Sequence, residues 1–100
     1  MGLDVYLEDE FGEELDAVAD EEGRLAAAWP AGDGAYPILR FVDVEGTTVL
    51  NRLQSAAAVP EFESFVHSAP AELKAAASSL LRFARKAAAE PHLYLRFLGD

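Results

Sequence analysis

The chain has 100 residues, of which 51% are hydrophobic and none is cysteine, and its formal net charge at pH 7 is −10. This length fits a single domain over residues 1–100, and the apolar content excludes a disordered chain, which combines high charge with low hydrophobicity. The negative charge disfavours nucleic acid and anionic membrane surfaces as partners, and it favours a basic protein, a cation or simple solubility.

A β-hairpin is predicted at the start of the chain. Residues 3–8 alternate apolar and polar side chains, which is the pattern of a half-buried strand. Asp9–Gly12 is typical of a hairpin turn in which Gly12 takes a positive φ at a G1 bulge, so residues 13–18 form the return strand. A helix is the competing interpretation, because three apolar residues recur at helical spacing: Phe11, Leu15 and Val18. The position of Gly12 favours the hairpin.

The middle of the chain predicts a short helix and a second hairpin. Asp20 fits the N-cap position of a helix over Glu21–Ala28. Residues 38–43 are β-branched and aromatic and predict a central strand. Turn residues then lead into Thr47–Leu53, whose alternation predicts the hairpin partner of residues 38–43.

Two helices and a strand are predicted in the second half. Pro60 cannot lie deep inside a helix, so the first helix is predicted from about Val59 to His67. Ala71–Ala89 carries one apolar stripe, with its cations toward the C-terminus, and predicts the longest helix. Residues 92–98 predict an interior strand covered by helices. The expected fold is α+β, in the order β-β-α-β-β-α-α-β, with a five-stranded antiparallel or mixed sheet and helices mainly on one face.

Negative charge is concentrated in the first third of the chain. Residues 1–34 carry eleven acids and one base, whereas residues 35–100 carry seven of each. Nine of the acids lie in Glu8–Glu22, the acidic block, which contains no base. Clustered charge can steer a cationic partner, so we expect a contact surface for a basic protein; a solvated face that only aids solubility is the alternative. The candidate contact residues are Glu8, Asp9, Glu10, Glu13, Glu14, Asp16, Glu21 and Glu22.

The sequence contains no motif typical of an enzyme, a cofactor site or a metal site. Glu63 and His67 share one helix face, but they supply only two ligands, and zinc sites need three or four. The acidic turn lacks the spacing of an EF-hand. A secondary polar site is predicted where Thr47–Leu53 leaves the sheet, formed by Asn51, Arg52 and Gln54. The alternative is that these side chains tie the sheet to nearby carboxylates.

Three stretches resemble small bacterial proteins of an uncharacterised, toxin-immunity type: residues 2–12, residues 43–54 (DVEGTTVLNRLQ) and residues 91–100 (PHLYLRFLGD). The resemblance implies a bacterial cytoplasmic protein that acts by binding a partner. A cytoplasmic location also agrees with the absence of cysteine, of a signal peptide and of a long apolar segment.

The leading hypothesis is an immunity protein that neutralises a basic bacterial toxin. The alternative is a small structural or oligomerising domain, in which the C-terminal strand or the alanine-rich helix packs against a second copy.

Overall fold

The computed structural model describes residues 2–100. Its strands and helices are β1 (Leu3–Asp9), β2 (Glu14–Val18), α1 (Arg24–Ala28), β3 (Thr47–Leu50), α2 (Arg52–Ser68), α3 (Lys74–Ala89) and β4 (Leu93–Gly99). Single turns of 3-10 helix lie at Leu39–Phe41 and Ala71–Leu73.

The four strands form one antiparallel sheet in the order β2-β1-β4-β3. β1 and β4 are therefore the central strands, with Val5 opposite Phe97, and β2 and β3 are the two edges. Side chains on one face of the central strands are buried, and those on the other face, including Tyr6 and Arg96, are partly exposed. The buried face packs against the helices, which places the core between the sheet and α1, α2 and α3.

The prediction of a fifth strand at residues 38–43 is wrong, because side chains bind the backbone groups that a strand would use. The carboxylate of Glu61 accepts hydrogen bonds from the N–H groups of Ile38 (3.0 Å) and Leu39 (2.9 Å). On the other side, the indole Nε1–H of Trp29 donates to the carbonyl of Leu39 (2.9 Å). This segment therefore forms the 3-10 turn, and β3 pairs with β4 instead.

The predicted start of α2 is also wrong, since the helix begins at Arg52 rather than near residue 59. Asn51 and Gln54 form a capping box in which each side chain accepts the other residue's backbone N–H at 2.9 Å. Pro60 lies inside the helix, but on its exposed side. Ala56, whose carbonyl loses its usual partner four residues later, is exposed, so water can replace the missing N–H.

The other predicted elements agree more closely with the structure. The β1–β2 hairpin, the final strand and the long helix are confirmed, although the helix begins with a 3-10 turn. The first helix is shorter than predicted and starts at Arg24, after Gly23 with φ of 73°. At its end, Trp29 joins the layers of the core, because its ring lies 5.6 Å from Phe97 of the sheet and 5.6 Å from Phe65 of α2.

We expect Glu61→Ala to lower the free energy of unfolding by about 2–4 kcal/mol, because the buried N–H groups of a turn lose a charged acceptor. Urea denaturation measures this loss. Glu63→Ala is the matched control in the same helix, since Glu63 is 51% exposed and pairs with Arg85 at the surface. We expect it to cost less than about 1 kcal/mol. Equal losses for the two variants would contradict the assigned role of Glu61.

Candidate partner-binding site

The acidic block is continuous in sequence but divided in space by β2. The carboxylates on the β1–β2 hairpin lie at one end of this strand, whereas Glu21 and Glu22 follow its other end. The five residues of β2 separate the two groups by roughly 17 Å, at about 3.4 Å per residue. Asp16 lies within the strand, 3.6 Å from Arg82 of α3. The block is therefore two surfaces, and the one at the hairpin carries more charge.

The hairpin tip, residues 9–14, is held in one conformation by its own hydrogen bonds. Gly12 has φ of 79° and donates its N–H to the Asp9 carbonyl (3.1 Å), which confirms the predicted turn. The Asp9 N–H donates to the carbonyl of Glu13 (3.0 Å). The Asp9 carboxylate accepts the N–H groups of Phe11 (2.8 Å) and Glu13 (2.9 Å). Asp9 therefore serves to fix the turn, in addition to contributing charge.

Phe11 is the most exposed large apolar residue described, with 85% of its surface accessible. It lies on the tip among the exposed carboxylates of Glu10, Glu13 and Glu14. An exposed aromatic ring on a rigid turn can anchor a partner's pocket. In the sequence, Phe11 stands out only as part of the alternative helical pattern with Leu15 and Val18. The signal that identifies Phe11 in the sequence is an aromatic residue in a glycine-containing turn, because such a turn lies at the surface and no core covers the ring.

Two acids of the hairpin have partners on β4 or directly before it. The carboxylate of Glu8 lies 2.8 Å from Nε of Arg96, and its side chain is only 12% exposed. This pair relieves the repulsion between Glu8 and Glu14, which face each other across the ladder. Glu10 approaches Nδ1 of His92 at 3.3 Å but remains 44% exposed. Glu8 therefore supports the sheet, whereas Glu10 remains accessible to a partner.

The predicted secondary polar site has a structural explanation for two of its three residues. Asn51 and Gln54 bond each other as the cap of α2, while Arg52 is exposed. A shallow depression of about 250 Å³ separates the start of α2 from the entrance of β4 and includes Arg52 and His92. Since His92 also contacts Glu10, this depression and the hairpin tip lie at the same end of the sheet.

One acid of the block, Asp20, is buried and structural. Its carboxylate accepts N–H groups from Leu3 of β1 (2.9 Å) and from Leu25 (3.0 Å) and Ala26 (2.9 Å) of α1. Burial alone would raise the pKa of Asp20, but these backbone hydrogen bonds favour the ionised form more strongly and lower the pKa below its ordinary value. Asp20 thus joins β1 to α1. The prediction that Asp20 is the N-cap of this helix is wrong, because Gly23 occupies the N-cap position.

No group of three or more acidic or histidine side chains within residues 2–100 is arranged to hold a metal ion. In the same part of the chain, none of the helices is both long enough and apolar enough to cross a membrane. Comparison with known proteins finds no family model, curated protein or solved structure that matches the chain.

Asp20→Asn should lower the free energy of unfolding at pH 7 by about 2–3 kcal/mol, because three backbone N–H groups, two of them in buried hydrogen bonds, lose an ionised acceptor. The pKa of Asp20 is lower in the folded chain than in the unfolded chain. The stabilisation is therefore complete at pH values above the pKa of the unfolded chain, and it disappears as pH falls through the pKa of the folded chain. The stability difference between wild type and variant should therefore shrink below about pH 4.

Urea denaturation at several pH values measures this difference. The exposed neighbour variant Glu21→Gln is the control and should differ little from wild type throughout. A difference between wild type and Asp20→Asn that stays constant with pH would contradict the assignment.

Proposed function

We propose that this protein binds a basic protein partner through its hairpin tip, and that it acts as an immunity protein that neutralises a basic bacterial toxin. The observation that carries the proposal is Phe11, an 85% exposed aromatic ring on a rigid turn among three exposed carboxylates. A role limited to solubility requires neither the ring nor the rigid turn.

The charge of the tip fits a cationic target. Glu10, Glu13 and Glu14 project from a small area, and only Glu10 has an ion-pair partner among the described residues. Such a patch accelerates association with a positively charged surface and makes binding sensitive to salt. A toxin that acts on nucleic acid has a basic groove for phosphates, and an acidic hairpin can occupy that groove and exclude the substrate.

The structure of the turn favours tight binding at low entropic cost. The Asp9 carboxylate and the positive φ of Gly12 hold the tip before any partner arrives. A preorganised loop loses little conformational entropy on association, so more of the contact energy contributes to affinity. Phe11 supplies the apolar anchor, and the surrounding carboxylates supply orientation.

The charge contribution is tested with two double variants that change the net charge equally. The probe is a purified basic, nuclease-type toxin domain, sought first among the products of the neighbouring genes, and the readouts are calorimetric affinity and protection of growth on co-expression. Glu10→Lys/Glu13→Lys should weaken binding by about 100-fold or more and abolish protection. Glu21→Lys/Glu22→Lys, at the other end of β2, should change affinity only a few-fold. Loss of binding with both double variants alike would show that only net charge matters.

The anchor is tested separately with Phe11→Ser. Removal of a central aromatic contact should weaken binding by about 2 kcal/mol or more. Leu53→Ser is the matched control, because Leu53 is also largely exposed (72%) but lies outside the hairpin tip. Unchanged affinity in Phe11→Ser, or binding that does not weaken as salt rises, would overturn the proposed contact surface.

A further inference from the structure

His92 lies directly before β4 and beside the hairpin tip. The β1–β4 ladder pairs Asp9 with Leu93, so the next position along it places Glu10 opposite His92. The imidazole Nδ1 lies 3.3 Å from a carboxylate oxygen of Glu10, and both side chains are open to solvent, His92 at 65% and Glu10 at 44%. This contact joins the entrance of β4 to one of the three exposed acids of the tip.

The backbone at His92 has an uncommon conformation. Its φ is 65°, and no other residue except glycine has a positive φ in the described part of the chain. Glycine adopts this left-handed region without the steric penalty of a Cβ atom, so a histidine there costs stability. Within residues 2–100, Glu10 is the one group that the imidazole contacts by an ion pair or hydrogen bond. What histidine adds at this position is therefore its contact with the tip.

Four other ionisable side chains belong to the surroundings of the imidazole. Glu10 comes from the hairpin tip. Arg52, at the start of α2, and Tyr94, in β4, line the same shallow depression as His92. Glu90 lies two residues earlier, at the C-terminal end of α3. Of these residue types, only histidine ordinarily changes its charge between about pH 5.5 and 8. In that range, the charge at this end of the sheet therefore changes through His92.

We infer that His92 makes recognition at the hairpin tip dependent on pH, which rests on the proposed function because the same carboxylates are involved. While the imidazole is neutral, Glu10, Glu13 and Glu14 are all available to a cationic partner. Once protonated, the imidazole forms an ion pair with Glu10, and the tip presents one negative charge fewer. Affinity for a basic partner is therefore complete while His92 is neutral, and it falls as pH falls through the titration of this side chain.

The exposure of the pair sets the size of the effect. Water and salt screen charges at the surface, so one added charge changes the affinity for a short cationic peptide by about two- to fivefold. A steeper response requires burial, which the imidazole lacks. His92 therefore adjusts the affinity of the tip over the physiological pH range and does not abolish binding.

N-acetylated hexalysine tests the inference, because its charge is constant over the range in which histidine titrates. Binding to the full chain is followed at low salt by NMR, through the amide shifts of the tip, at about pH 8 and about pH 5.5. Wild type should bind the peptide about two- to fivefold more weakly at the lower pH. His92→Asn should remove most of this difference, since asparagine tolerates a positive φ but carries no charge. His92→Lys, which is charged at both pH values, should bind weakly at both.

The matched control is His67→Asn, because His67 is the other histidine of the chain and is exposed near the end of α2. It should keep the pH dependence of wild type. Wild-type binding at the tip that is equally tight at both pH values would overturn the inference and leave the proposed contact surface in place. A pH dependence that persists in His92→Asn would overturn it as well. A peptide that perturbs no tip amide at either pH would contradict both the cationic target of the proposed function and the role of His92.

Discussion

The buried carboxylate of Glu61 is the contact on which the middle of the chain depends. It accepts the N–H groups of Ile38 and Leu39, while the Trp29 indole donates to the carbonyl of Leu39. These two side chains satisfy a turn that has no strand partner, and they bind it to α2 and to the aromatic core. Residues 38–43 therefore do not pair with β4, and β3 pairs with the edge of β4 instead.

The resulting strand order separates two kinds of surface. β2 carries negative charge at one edge, and β3 presents uncharged backbone at the other. The carboxylates nearest the core do not belong to either surface, because Glu8 pairs with Arg96 and Asp20 binds backbone N–H groups. The accessible carboxylates that remain lie at the hairpin tip, where Phe11 is exposed, and at Glu21 and Glu22. A highly charged segment thus contains structural acids and accessible acids side by side.

Local patterns were sufficient to predict the first hairpin, the long helix and the last strand, because their turns and periodicities depend on neighbouring residues. Residues 38–43 were predicted wrongly, because an apolar β-branched run becomes a strand or a buried turn according to its partner, and Glu61 lies 23 residues from Ile38. Asn51 and Gln54 were interpreted as a polar site, although their spacing is that of a helix cap. The division of the acidic block and the exposure of Phe11 depend on three-dimensional placement that periodicity does not contain.

The pairing of β1 with β4 has a consequence for folding kinetics. These strands form the centre of the sheet, yet they are separated by nearly the whole described chain, with Leu3 opposite Gly99. Contacts of such long sequence separation close slowly, whereas the neighbouring helices α2 and α3 can pack as soon as both are synthesised. During synthesis, α2 and α3 are therefore complete before β4 is available to pair with β1. Until that pair forms, the negative charge of the β1–β2 hairpin disfavours association between chains.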